Sequence, residues 1–326
     1  MKRALLLLFT GILFTGILFA CESQGSYSEN NSEISTRSGK TIDVNEDSYY
    51  GKPLAKHVFL LALDGWAANS YDALRIPNIK KLVEDGCITL SKRSVLPSSS
   101  APNWASMFMG AGTEAHGYTE WGSKTPEIPS QVVNHHYIFP TIFYLLKDQH
   151  PEKKVGVLYE WDGIEHLIDK TAVDYQKKTE YDNGDLKKKA VEYIKKDKPN
   201  LLAVIWDGPD HAGHANGWKS QGYLDKIEEV DGYIGEIIQA IKEAGIYKNS
   251  IFIVTADHGG INKGHGGKTD DEMHTPFIIS GKNIKQGEKI SAPMMQFDVA
   301  ATIACIFDLK RPEVWWGRPV TEVFKK

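Results

Sequence analysis

The chain has 326 residues, of which 41% are hydrophobic and 25% charged, with a formal net charge of −4 and three cysteines. That length suits one large α/β domain or two average ones, and the apolar fraction excludes disorder for the bulk of the chain. The acidic balance excludes a non-specific nucleic-acid binder, which needs a basic face against phosphates, and two cysteines beyond Cys21 exclude a disulfide-framework fold.

The N-terminus reads MKRALLLLFTGILFTGILFAC: two cations, an apolar run from Ala4 to Ala20, then Cys21. This pattern predicts a signal peptide over residues 1–20. LFAC, with small Ala20 before the cysteine, resembles a bacterial lipoprotein box, which implies a lipid on Cys21 and an exported domain held at a membrane. The alternatives are a plain cleaved signal or an anchor helix, the run being near the lower limit for spanning. Residues 21–53 are polar, rich in Ser, Asn and Glu, and are predicted to be a flexible tether.

From residue 54 onward strand-like and helix-like patterns alternate. HVFLLALDG (57–65) is a short apolar run that predicts a buried strand, and IPNIKKLVEDG has helical periodicity. VLPSSSAPNWASMFMGAG (95–112) reads as a loop opening a short apolar helix, followed by the helical FPTIFYLLKDQ. KKVGVLYEW (153–161) predicts the next strand and DLKKKAVEYIKKD a charge-rich surface helix. LLAVIWDG (201–208), the long helix YLDKIEEVDGYIGEIIQAIKEAG (223–245) and the strand SIFIVTADHGG (250–260) complete the pattern. The fold class is therefore α/β, a mostly parallel central sheet with helices on both faces, and its ligand site belongs beyond the carboxyl ends of the strands. Cys87 and Cys305 sit in apolar contexts and read as small core residues.

Three of the four strands end in or run into an acidic residue: Asp64, Asp207 with Asp210, and Asp257. Asp210 and His214 are spaced i, i+4, which places both on one face of a helical turn, with Gly213 leaving room for close approach. His258 follows Asp257 directly, before Gly259 and Gly260, and His265 lies in GHGG. Carboxylate plus imidazole, with nothing softer, is a ligand set for zinc or a similar divalent ion. Singly, each such pair is equally a turn or a helix cap. A hydroxyl from the Ser98–Ser100 run at a helix start suits an anionic ligand, or is simply the N-cap. Trp104, Trp121, Tyr159 and Trp161 are expected to pack in the core rather than stack on substrate, and Lys92 and Arg93 to lie on a solvated face.

In this order LALDG, SSSAPNWASMFMGAGTEAHG, DGPDHAGHANG and TADHGGINKGHGG resemble the alkaline-phosphatase superfamily, most of all its type I phosphodiesterase and nucleotide pyrophosphatase branch. The likeness runs from about His57 to Pro319 and includes the tail FDVAATIACIFDLKRPEVWWGRPV. It implies that residues 54–326 form an alkaline-phosphatase-like catalytic domain, with a small insertion between Gly117 and Leu201 forming part of the substrate cleft. Two divalent ions, zinc by analogy, are implied as cofactors. Asp64, Asp257 and His258 would hold the first together with the Ser100 hydroxyl, and Asp210, His214 and His265 the second. Ser100 would be the nucleophile, forming a phosphoseryl intermediate, and Asn103 would contact a phosphoryl oxygen alongside backbone N–H groups of the helix start. His265 is preferred to His274 as the late ligand, and Asp207 and His211 are assigned support.

The implied function is hydrolysis of a small-molecule phosphoric ester, nucleotides included, with diesterase or nucleotide pyrophosphatase activity ahead of phosphomonoesterase and phosphonate hydrolase. The branch commonly uses Thr where this chain has Ser, which the monoesterases also use. A sulfatase would carry Pro-Ser-Arg two residues after its nucleophile, and SSSAPNWAS lacks the Arg. A reading of another class, a catalytically silent ligand-binding lipoprotein, is opposed by the presence of all six metal positions and the hydroxyl.

Overall fold

The computed structural model describes residues 44, 45 and 50–325, so the predicted signal peptide, Cys21 and most of the tether lie outside the described residues. In chain order these residues form β1 (Val44–Asn45), β2 (His57–Leu63), α1 (Pro77–Glu84), β3 (Gly86–Arg93), α2 (Ser100–Met109), α3 (Thr113–His116) and α4 (Ile142–Gln149). There follow β4 (Val155–Tyr159), β5 (Tyr175–Lys178), α5 (Asn183–Asp197), β6 (Leu201–Trp206), α6 (Gly208–Asn216), α7 (Gln221–Glu243) and β7 (Ser250–Thr255). The last elements are α8 (Asp270–Met273), β8 (His274–Gly281), β9 (Glu288–Lys289), α9 (Asp298–Phe307) and β10 (Arg311–Pro312).

The central sheet has eight strands in the order β5-β4-β6-β2-β7-β8-β3-β9. Only β8 runs against the rest, pairing antiparallel with both β7 and β3. Buried strands alternate their side chains between faces, and β2 shows this directly. Val58, Leu60 and Ala62 enter one apolar cluster with residues of α2, α4 and α9, whereas Phe59, Leu61 and Leu63 enter another with residues of α1, α5 and α7. Helices thus cover both faces, as expected. Among the described residues no helix is long and apolar enough to cross a membrane.

The sequence reading named four of the eight strands of this sheet and left out β3, β5, β8 and β9. The β3/β8 pair was not expected, because β3 (GCITLSKR) alternates apolar with polar residues and β8 (HTPFIISG) carries Pro276 within the run. The predicted tether also ends earlier than Pro53: Val44–Asn45 pairs with Arg311–Pro312, and the Tyr50 N–H donates to Asp308 Oδ1 at 3.2 Å. Backbone hydrogen bonds hold Val44–Asn45 and Tyr50 where side-chain hydrophobicity gave no signal. Cys87 and Cys305 are buried free thiols, consistent with core packing.

Candidate active site

The three adjacent central strands β6, β2 and β7 deliver Asp207, Asp64 and Asp257 to one edge of the sheet. Asp64 follows β2 at once, and Gly65 behind it has φ +69°, a left-handed turn. A Cβ on Gly65 would lie 2.8 Å from Asp210 Oδ1, so this glycine lets the β2 exit approach α6. Asp210 and His214 stand one turn apart on α6, as the spacing implied. Gly213 serves another purpose than the expected one: its Cβ would meet the Trp218 indole at 2.7 Å, so the packing of Trp218 rather than room for a metal demands glycine.

The ligand candidates fall into two adjoining groups. Ligand atoms of Asp64, Asp257 and His258 lie within 4.8 Å of one another, and so do those of Asp210, His214 and His265. The His258 and His265 rings stack at 3.9 Å, joining the groups. A third combination, Asp64, Asp207 and Asp210, meets the same distance criterion. The Ser100 hydroxyl, on the first turn of α2, is 3.2 Å from His258 Nε2.

Three observations show that this constellation fits divalent cations. The Nδ1–H groups of His258, His214 and His265 donate to the carbonyls of Gly259 (2.8 Å), Lys263 (2.9 Å) and Ser98 (3.1 Å), which leaves each Nε2 lone pair facing the cluster. The Nε2 atoms of His214 and His265 are only 3.1 Å apart, and His258 Nε2 is 3.4 Å from Asp64 Oδ1 and 3.3 Å from Asp257 Oδ2. Asp64 Oδ1, Asp210 Oδ1 and Asp257 Oδ2 are buried without any hydrogen-bond donor. Acceptors converging on acceptors are relieved by positive charge placed between them.

The electrostatics agree at the two more buried imidazoles. Burial, reinforced by Asp257 and Asp210, holds the Asp64 carboxyl well above the usual range, and burial does the same to Asp257. Burial lowers His258 to about 3 and His265 to about 4, keeping both imidazoles neutral and able to ligate. His214 goes the other way: its hydrogen bond to Asp210 raises it to about 9, so a divalent ion binding there would displace a proton.

Other predicted residues are placed differently. Asn103 is fully buried, and its amide donates to the carbonyls of Val95 (3.3 Å), Pro97 (3.1 Å) and Ser99 (2.9 Å) while its Oδ1 accepts the Val95 N–H. In the structure it braces the Val95–Ser99 loop before Ser100, with its amide groups engaged by backbone. Of the helix-start N–H groups, that of Ala101 donates to Trp121 O at 3.3 Å and Pro102 has none. His274 starts β8, with Asp270 Oδ1 3.9 Å away, and joins neither group. Asp207 is buried and accepts from His211 at 3.3 Å, and the His211 ring packs edge-on against Tyr181.

Trp104 and Tyr159 are buried as expected, and the Trp104 indole N–H donates to Asp64 Oδ2 at 2.9 Å. Trp121, by contrast, is 68% exposed. It lines, with Trp161, Asp162 and Tyr181, a cleft of about 380 Å³ whose floor holds Ser100, Asp210, His214 and His265. All four wall residues come from the segment expected to form the insertion. Lys92 is not solvated: it is fully buried, and burial pushes its ammonium down to about 7.

Sequence reasoning missed Glu160, which ends β4 as the aspartates end their strands, in LYEW. Buried and raised to about 7 by that burial, it accepts the Asp207 N–H at 2.8 Å and so fixes the entry to α6. Trp218 was missed too: its indole N–H donates to Gly65 O at 2.9 Å and its ring lies against His214.

A mostly parallel sheet bearing two carboxylate–imidazole groups beside a helix-start hydroxyl defines an alkaline-phosphatase-type protein. Murine ectonucleotide pyrophosphatase/phosphodiesterase 5, in an inactive form in complex with AMP, shares the fold with a TM-score of 0.65 at 15% identity, covering 83% of this chain and 100% of that chain. The chain belongs to the type I phosphodiesterase / nucleotide pyrophosphatase family, which it matches over residues 58–274. It is 21% identical over 247 residues to bis(5'-adenosyl)-triphosphatase ENPP4 of Pongo abelii, covering 68% of this chain and 51% of the relative. It is 25% identical over 216 residues to ectonucleotide pyrophosphatase/phosphodiesterase family member 1 of Mus musculus, covering 61% and 23%. The chain therefore spans about half the length of the first of these relatives and less of the second.

Proposed function

We propose that this protein hydrolyses phosphoric diesters, nucleotide-type diesters and pyrophosphates among them, with Ser100 as nucleophile. The observation that carries the reading is the Ser100 hydroxyl on the first turn of α2, 3.2 Å from His258 Nε2 and beside both ligand groups. Asp64, Asp257 and His258 would hold one divalent ion and Asp210, His214 and His265 a second, with zinc best matched to the oxygen and nitrogen donors. Such ions, when bound, lower the pKa of the attacking hydroxyl and neutralise charge on the leaving oxygen. Ser100 Oγ forms a bond to phosphorus as the bond to the leaving alcohol breaks, and water then hydrolyses the phosphoseryl ester. Trp104 and Glu160 hold Asp64 and the α6 entry in place through the reaction.

A diester carries a second substituent that needs space, and a cavity of about 600 Å³ borders the cleft at Tyr181 and His211. That favours a diesterase over a monoesterase. The AMP complex of the murine neighbour supports a nucleotide-like substrate, with the base or another aryl group against Trp121 and Trp161. Export and lipid attachment at Cys21 complete the proposal, from the sequence pattern.

The test is turnover of bis-p-nitrophenyl phosphate against p-nitrophenyl phosphate with zinc supplied, alongside Ser100→Ala. The variant should lose at least about a thousand-fold in kcat while remaining folded. Absence of turnover of both esters, or no effect of Ser100→Ala, rules the reading out, and a preference for the monoester moves it to a phosphatase.

A further inference from the structure

Lys92 is the only buried lysine or arginine among the described residues, and the chemistry above leaves it without a task. Its Nζ donates to the Ala256 carbonyl at 2.7 Å, one residue before Asp257, and to Oε1 of Gln296. Gln296, also fully buried, turns its Nε2–H groups to the same Ala256 carbonyl (3.4 Å) and to the Asn103 carbonyl (3.3 Å) on the first turn of α2. Two neighbouring bonds reinforce the arrangement: Ser94 Oγ donates to Asp257 O at 2.7 Å, and Asn103 Oδ1 accepts the Val95 N–H at 2.7 Å. The exit of β3, the end of β7 and the start of α2 are thereby fastened together behind the site.

Packing does not account for a cation here. A buried charge is costly to desolvate, and an apolar side chain of similar volume is commonly as stable or more so. Retaining Lys92 makes sense if it orients what lies in front of it. Asp257 and His258 extend from the strand end that it holds, and Ser100 extends from the helix that Gln296 holds.

We propose that Lys92 and Gln296 act as a pair of positioning residues that set the separation between Ser100 and the Asp64–Asp257–His258 group. The inference rests on the hydrolase reading above. Neither side chain touches the substrate, and both act through backbone carbonyls, as residues that support metal ligands commonly do.

The test uses the full chain with Lys92→Met, Gln296→Leu and the double variant. For each, the apparent zinc affinity is measured by competition with a chromogenic chelator, kcat and KM on bis-p-nitrophenyl phosphate, and Tm. The expected result is a loss of about 10- to 100-fold in zinc affinity and in kcat, with KM within about twofold of wild type. The double variant should be no worse than the poorer single one. A lowered Tm with unchanged zinc affinity and kcat would mean mere packing and would overturn the proposal, as would additive losses. Should Lys92→Met not fold, Gln296→Glu keeps an oxygen for Lys92 but removes the N–H link to α2. It should lower kcat about tenfold at unchanged zinc affinity, and an unchanged kcat sinks the idea. A wild-type protein that neither binds zinc nor turns over the ester defeats the hydrolase reading, and this inference with it. An active wild type with indifferent variants defeats the inference alone.

Discussion

Asp257 Oδ2 is a buried oxygen with no donor, facing an imidazole nitrogen that has no proton to give. Asp257→Asn would place an amide N–H or a weaker acceptor there and remove the charge. It should cost about one equivalent of bound zinc, read by atomic emission on the dialysed protein, with the fold kept. His116 tests burial away from the ligands: its Nδ1 accepts the Tyr118 N–H, its Nε2 contacts Ser106 Oγ, and burial lowers it to about 3. A folded-state value below the unfolded 6.5 means that its contribution to stability is complete above pH 6.5 and is lost as pH falls toward 3. The loss should approach about 1.4 kcal/mol per pH unit within that window. Urea unfolding of His116→Gln beside wild type should show a shallower acid dependence, and parallel curves would refute it. At this scale the candidate ligands were legible, since Asp64, Asp257 and His258 follow strand ends and Asp210 and His214 share an i, i+4 spacing on α6. Lys92 and Trp121 were misread because their placement depends on which way a side chain turns, which spacing does not encode.

The helix α6 shows how an element can be demanding at one position. Gly213 lies between Asp210 and His214, with the Trp218 indole 2.7 Å from where its Cβ would be. Gly213→Ala should destabilise the protein by about 1 to 3 kcal/mol through overpacking. It should also weaken zinc binding, because Trp218 lies against His214. Thermal melts with and without zinc separate the two effects, and a smaller residue at Trp218 should relieve the first. The strands β2, β4, β6 and β7 and the helices α1, α4, α5 and α7 were legible because each carries a clean run or period. β3 and β8 were not, because their alternation includes residues such as Lys92 whose partners come from β7 and from just before α9.

For the whole molecule, the two candidate ligand groups, the Asp64–Asp257–His258 one fully buried, should couple the fold to metal. Metal that binds only the folded chain stabilises it by about 4 kcal/mol at a thousand times its dissociation constant. A chelator should therefore lower Tm by several degrees. Added zinc should restore it, and a Tm indifferent to both would argue against filled sites in solution. The sheet itself also acts as a ruler. Asp64 and Asp257 leave the neighbouring strands β2 and β7, so their separation is inherited from a backbone ladder with a pitch of about 4.8 Å, and Asp210 stands on α6, which follows the adjacent strand β6. Calcium wants six to eight oxygens at about 2.3 to 2.6 Å in a pliant cage, whereas zinc accepts about four donors including nitrogen. A frame this stiff, offering three imidazoles, should discriminate between ions by geometry, so calcium in large excess should fail to displace zinc or to raise Tm.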